Sequence, residues 1–124
     1  MAKRAFTFPG QGSQAVGMGK DLAEAFPEAR AVFDEVDAAL GQKLSQIMFD
    51  GPPETLQLTE NAQPALMAVS MAVVRVLEAR GVSVGKHAAF AAGHSLGEYS
   101  ALCAAGVFSI ADTAKLLKTR GQAM

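Results

Sequence analysis

Ala91-Ala92-Gly93-His94-Ser95-Leu96-Gly97-Glu98-Tyr99-Ser100 is the stretch on which the fold turns. Within it, Gly93-x-Ser95-x-Gly97 is the nucleophile-elbow pattern, in which a serine sits on a sharp turn between a buried strand and a helix. The flanks agree with that reading. Ala88 to Ala92 are small or apolar with one aromatic, Phe90, as a buried strand requires, and Leu96 to Ala105 reads as a helix. The two glycines remove the Cβ atoms that would hold helix and strand apart at so tight a turn. The serine is left exposed at the tip, and the backbone N–H of Leu96 points at the space above its Oγ, where an oxyanion can form. A glycine-rich turn carrying a surface serine is the plainer reading of the same residues in a chain with 12 glycines.

Outward from this turn the pattern is α/β. Ala5 to Phe8 reads as a short buried strand ended by Pro9. Gly10 to Gly19 is a glycine-rich loop. Pro27 suits the first position of a helix, and Ala29, Val32, Phe33, Val36 and Leu40 recur at helical spacing up to Gly41. Gly51-Pro52-Pro53 marks a turn. Thr59 reads as the N-cap of a long helix to Arg80, stopped by Gly81, with Leu66, Val69, Val73, Val76 and Leu77 as its apolar stripe. Val82 to His87 links it to the strand before Ser95. Ser109-x-x-Asp112 has the form of a capping box and opens a last helix through Leu116, Leu117 and Arg120. Strands separated by helices predict a parallel sheet flanked by helices.

The glycine loop has a competing reading. Gly10-x-Gly12-x-x-Ala15 after a strand fits a dinucleotide-binding fingerprint. That motif needs an acidic residue about 20 positions on, at the end of a second strand. Asp34 and Glu35 stand at the distance but inside a helical pattern, which disfavours a cofactor loop.

Composition narrows the function classes. The chain has 124 residues, half of them hydrophobic, enough for one domain with a core. Lys and Arg number 11 against 12 Asp and Glu, a net charge of −1, which gives no support for nucleic-acid or anionic-membrane binding. The single cysteine, Cys103, excludes an internal disulfide framework and reads as a buried structural thiol in the helix after Ser95. The N-terminal basic run Lys3-Arg4 is too short for a signal peptide, and Arg75, Glu78 and Arg80 interrupt the longest apolar segment. The expectation is a soluble cytoplasmic protein with no membrane partner.

Gly93-His94-Ser95-Leu96-Gly97-Glu98-Tyr99, taken with Phe8-Pro9-Gly10-Gln11-Gly12-Ser13-Gln14, resembles the malonyl-CoA:acyl-carrier-protein transacylases of bacterial type II fatty-acid synthesis. These are related to the acyltransferase domains of polyketide synthases. Asn61-Ala62-Gln63-Pro64-Ala65-Leu66 and Arg120-Gly121 match the same family in the expected order, and the resemblance runs from Ala5 to Met124. It implies an N-terminal part of a single acyltransferase domain over residues 1–124. The rest of the large subdomain and the small ferredoxin-like subdomain would lie beyond it.

The resemblance also implies roles. Ser95 is the nucleophile, and the backbone N–H groups of Gln11 and Leu96 are the two oxyanion donors. Arg120 pairs with the free carboxylate of a malonyl group, which suits a planar guanidinium that can hold a carboxylate by two parallel hydrogen bonds. Gln63 sits near the substrate in a secondary role. His94 adjoins Ser95, but neighbours at a strand end point to opposite sides, so its imidazole supports the turn rather than taking the proton. The partners implied are malonyl-CoA and acyl carrier protein, with no metal or redox cofactor. Lys115, Lys118 and Arg120 offer a basic patch on which an acidic carrier protein can dock.

A serine hydroxyl needs a base. The family's histidine lies far C-terminal to the elbow, and neither His87 nor His94 matches it. Two readings therefore stay beside the first. One is an esterase or lipase of the α/β-hydrolase type, which expects a His-Gly-Gly-type oxyanion loop where this chain has Gly10-Gln11-Gly12-Ser13-Gln14. The other is a non-catalytic acyl-CoA-binding fragment.

Overall fold

A computed structural model describes residues 5–82, 90–93 and 95–124. Two strands, β1 (Ala5–Phe8) and β2 (Phe90–Gly93), pair in parallel with Ala5 opposite Phe90 and Phe8 opposite Gly93. The described residues also form seven helices: α1 (Lys20–Ala25), α2 (Pro27–Leu40), α3 (Leu44–Asp50), α4 (Pro53–Gln57), α5 (Thr59–Ala79), α6 (Leu96–Ala104) and α7 (Ile110–Ala123). The parallel pairing agrees with the α/β expectation. The expected start of the second strand at Ala88, and the linker from residue 83, lie outside the described residues.

Three short helices were not legible in the pattern. The segments of α1, α3 and α4 are too short to display a 3.6-residue period. They form against the core: Ala23, Leu44, Met48 and Leu56 are all buried. The longer helices begin and end where their residues say. Pro27 opens α2, and Gly41, in the left-handed region at φ 63°, closes it. Ser109 caps α7, its Oγ accepting from the Asp112 N–H at 3.0 Å. Thr59, in contrast, is the first residue of α5 and not its cap; Leu58 precedes it with no capping side chain. The Thr59 hydroxyl accepts instead from Gln11.

Helix α5 is the hub. It packs on α2, α6 and α7, so its buried surface is broader than one stripe. Met67, Ala68, Met71 and Ala72 are fully buried, whereas Val73, expected on the apolar stripe, is exposed. It is also the one helix among the described residues long and apolar enough to cross a membrane, with a mean hydropathy of 1.3 over its most apolar window. Since 67% of that window is buried against the other helices, its apolar character is that of a core element. Phe33 of α2 lies edge-on to Phe49 of α3 at 5.5 Å between ring centroids and closes the far side of this core. Burying such a ring contributes about 2–3 kcal/mol.

The sheet meets α6 through glycine. A Cβ on Gly93 would overlap the Gly97 carbonyl group and lie 2.6 Å from the Glu98 nitrogen. A Cβ on Gly97 would collide with the Phe8 carbonyl oxygen and lie 3.0 Å from that of Pro9. Both neighbours are backbone, so no rotamer change relieves the clash.

Burial pushes the Cys103 thiol above its ordinary range and nearby Glu35 adds to this, while the Thr113 hydroxyl and Arg75 draw it part of the way back. The residue is 5% exposed, as expected of a structural thiol.

Gly97→Ala destabilises by about 3 kcal/mol or more, as overpacking against backbone does, while Gly41→Ala, which meets open space, costs only about 1 kcal/mol for its positive φ; urea titrations compare them. Cys103, protonated and buried, reacts with an aromatic disulfide reagent far more slowly in native buffer than in urea. Because the unfolded thiol releases its proton first, the Cys103 contribution to stability is complete below the ordinary thiol pKa. It is lost as pH climbs through the raised one, and Cys103→Ala flattens that alkaline fall.

Candidate functional site

Ser95 stands between the last residue of β2 and the first turn of α6 with φ 58° and ψ −118°. It is the one non-glycine residue with positive φ among the described residues. Such a conformation costs on the order of 1–3 kcal/mol and persists only where the surroundings enforce it. Here they do: the Gly93–Gly97 and Gly97–Phe8 contacts leave the connecting residue no room to relax. Ser95 is exposed, its carbonyl accepts from the Glu98 N–H at 3.0 Å, and Leu96, the first helical residue, is 1% exposed. The N–H groups of a first helical turn have no partner within the helix, so the start of α6 presents donors beside the serine.

Arg120 reaches Ser95 from the end of α7. Its Nη2 donates to Ser95 Oγ at 3.0 Å and its Nη1 to Gln63 Oε1 at 2.7 Å. The guanidinium carbon lies 5.6 Å from the centroid of the Tyr99 ring, within cation–π range. Gln63 is fully buried. Arginine has no acceptor, so the glutamine oxygen must face it, and the amide nitrogen then turns to Met124 Sδ at 3.1 Å. Gly121 makes this approach possible. A Cβ there would lie 2.5 Å from Glu60 Cα and 2.8 Å from the Thr59 carbonyl oxygen, so α7 crosses the start of α5 with backbone against backbone.

The glycine loop arrives from a third side. The Gln11 side chain donates to Thr59 Oγ1 at 3.2 Å, and Pro9 packs on Gly97. Thus Arg120 is bonded to both Ser95 and Gln63, Leu96 follows the serine, and Gln11 is tied to the start of the helix that carries Gln63. His94 lies outside the described residues.

One sequence expectation needs correction in part: Lys118 does not join Lys115 and Arg120 in a free basic patch. Lys118 Nζ donates to Asn61 Oδ1 at 3.0 Å and lies 3.7 Å from Glu60 Oε2, whereas Lys115 and Arg120 line one pocket together with Asp112. As their helical pattern led one to expect, Asp34 and Glu35 fall inside α2, where Asp34 pairs with Arg30 at 3.4 Å across one helical turn. Among the described residues no three His, Cys, Asp or Glu side chains group to hold a metal ion. Asn61 and Tyr99 were missed as site-building residues. The amide of Asn61 also donates to the Thr55 carbonyl at 2.9 Å, so one side chain joins α4, α5 and α7. A buried polar residue in a helix is the signal that finds it.

With this geometry in view, the chain's relatives can be placed. It belongs to the acyl transferase domain family, whose model matches residues 5–124. Within that family it is 51% identical over all its residues to the malonyl CoA-acyl carrier protein transacylase of Bacillus subtilis strain 168. It superposes on the acyl-carrier-protein-S-malonyltransferase of Bartonella henselae with a TM-score of 0.97 and 66% identity over 98% of this chain. A malonyl-transacylase in complex with its type II PKS acyl-carrier protein matches at a TM-score of 0.91 and 45% identity, again over 98% of this chain. The chain spans 38% of the Bacillus relative's length and 39% and 38% of the two solved structures.

Gln63→Leu leaves Arg120 Nη1 without its buried acceptor. The expected cost is about 1–3 kcal/mol of stability, read by thermal unfolding, together with displacement of the guanidinium from Ser95 Oγ in a crystal structure of the variant.

Proposed function

We propose that this chain is the N-terminal part of a single acyltransferase domain, and that the whole protein transfers a malonyl group from malonyl-CoA to the phosphopantetheine thiol of acyl carrier protein. The observation that carries the reading is the Arg120 guanidinium set 3.0 Å from Ser95 Oγ. A malonyl group is short, with one methylene between the reacting carbonyl and the free carboxylate. A cation meant to hold that carboxylate while the serine attacks the carbonyl must therefore stand almost against the serine. An acetyl group offers the cation nothing.

In this reading the Gly93–Gly97 turn is a nucleophile elbow and Ser95 is the nucleophile. A histidine of the whole protein, the one the family resemblance implies, takes the hydroxyl proton. Ser95 Oγ bonds to the thioester carbonyl carbon while the Leu96 and Gln11 backbone N–H groups hold the oxyanion. The C–S bond then breaks and CoA leaves as a thiol, carrying the proton. The thiol of the carrier protein attacks the malonyl-serine ester, loses its proton to the same base, and frees Ser95 with its proton restored. One oxyanion donor of this kind contributes about 3 kcal/mol. Two half-reactions through one covalent intermediate give ping-pong kinetics. His94 supports the elbow, Gln63 holds the arginine, and no metal or redox group enters a step. Soluble substrates set the reaction in the cytoplasm. The names of the relatives and the complex of a malonyl-transacylase with an acyl-carrier protein support this reading.

Intact-mass spectrometry tests it. The complete enzyme mixed with malonyl-CoA gains one malonyl group, and Ser95→Ala gains none; labelling that survives Ser95→Ala refutes the assignment. The isolated chain, without the base, stays unlabelled. Arg120→Lys lowers kcat/KM for malonyl-CoA by about tenfold to a hundredfold, the value of a charge-assisted pair, and leaves the slow use of acetyl-CoA nearly unchanged.

A further inference from the structure

We infer that Gln14 is the positioning residue of the glycine loop and acts by tethering the Gln11–Gly12 peptide to Gln57 on α4. This rests on the acyl-transfer reading above and extends it to a residue outside the nucleophile and its arginine.

The loop between β1 and α1 poses a physical problem. Gly12 has φ 114° and Gly17 φ 95°, positions that glycine alone adopts readily. Chain of this kind is the costliest to order. An oxyanion donor in it is useful only if it is fixed before the charge develops, since a donor that must reorganise gives back most of its effect.

Gln14 supplies the fixation. It is 8% exposed in a loop whose other residues from Gln11 to Gly17 are all exposed. Its Oε1 accepts from the Gly12 N–H at 2.8 Å, and its Nε2 donates to Gln57 Oε1 at 2.8 Å. The orientation of both amides is determined: Gly12 can only donate, so Gln14 must present oxygen there and nitrogen to Gln57. The Gln11–Gly12 peptide is held by its N–H, and α4 anchors the holder. Gly12 N–H is thereby occupied, which leaves the Gln11 N–H as the donor for the substrate. The Gln11 side chain, bonded to Thr59, ties the same peptide to α5 from its other end.

The test uses the complete enzyme. Gln14→Met keeps length and burial but makes neither bond. Gln57→Met removes only the acceptor on α4, at an exposed position, and Gln57→Glu restores an acceptor. Expected is a fall in kcat of about a hundredfold for Gln14→Met, the effect of slight misplacement of a reacting geometry. KM stays within a few-fold. Gln57→Met gives a smaller fall of the same kind, the double variant is no worse than Gln14→Met, and Gln57→Glu regains activity. Hydrogen exchange at the Gly12 amide quickens in both Met variants. A lowered Tm with unchanged kcat, or effects of the two Met variants that simply multiply, overturns the inference and leaves Gln14 a buried residue of structural value only. If wild-type enzyme transfers no malonyl group, the acyl-transfer reading is what fails. The tether is then decided by exchange alone: unchanged Gly12 exchange in Gln57→Met overturns it.

Discussion

Everything at the site depends on one close contact, the backbone of α6 lying against the ends of β1 and β2 where Gly93 and Gly97 lack side chains. Strand, turn and helix are locked there without a side chain between them. The strain at Ser95, on the order of 1–3 kcal/mol, is sustained because relaxing it would pull α6 away from both strands at once. The energetic source is remote. Leu96, Ala101 and Cys103 are buried on the faces of α6, and that apolar burial outweighs the cost of a single unfavourable φ/ψ pair. An exposed serine is thus held in place by the packing of buried side chains on the helix that follows it.

The same device recurs at the other end of the site. Gly121 brings α7 against α5 closely enough for Arg120 and Gln63, on the two helices, to form a 2.7 Å hydrogen bond. An arginine on a flexible four-bond stem is a poor specificity element unless its fork is immobilised. Here Gln63, Ser95 and the face of Tyr99 hold it from three directions. Asn61, two residues earlier on α5, fixes Lys118 on α7, so the helix crossing is set by hydrogen bonds as well as by the missing Cβ.

How much of this is legible in the sequence follows from the range of each interaction. The α2 boundaries, the Ser109 cap and the glycine-flanked serine are local patterns, and local patterns can be read; the parallel pairing of β1 with β2 follows from the alternation of strands and helices rather than from any local signal. The short helices α1, α3 and α4 are shaped by the core, not by their own periodicity. Thr59 looks like a cap because its residue type is right, yet its hydroxyl answers to Gln11, 48 positions away. Lys118 looks like surface charge because lysine usually is; its partners Asn61 and Glu60 come from another helix. Arg120 beside Ser95 is a contact over 25 positions, which spacing cannot reveal and which entered only through a resemblance of motifs.

The side chains that hold Arg120 also leave its charge free. Gln63 meets Arg120 with a neutral amide, and among the described residues no carboxylate pairs with it. A glutamate at that place would form a buried ion pair, satisfy the guanidinium permanently, and compete with any anion brought to it. An amide oxygen satisfies one N–H and leaves the positive charge unneutralised, in a setting where water screens it less than at an open surface. The loop repeats the choice, with Gln11, Gln14 and Gln57 making its tethers. Carboxamides hold geometry without adding charge and do not titrate. A cation beside a serine keeps its field for an incoming anion best where the side chains that hold it are polar and uncharged.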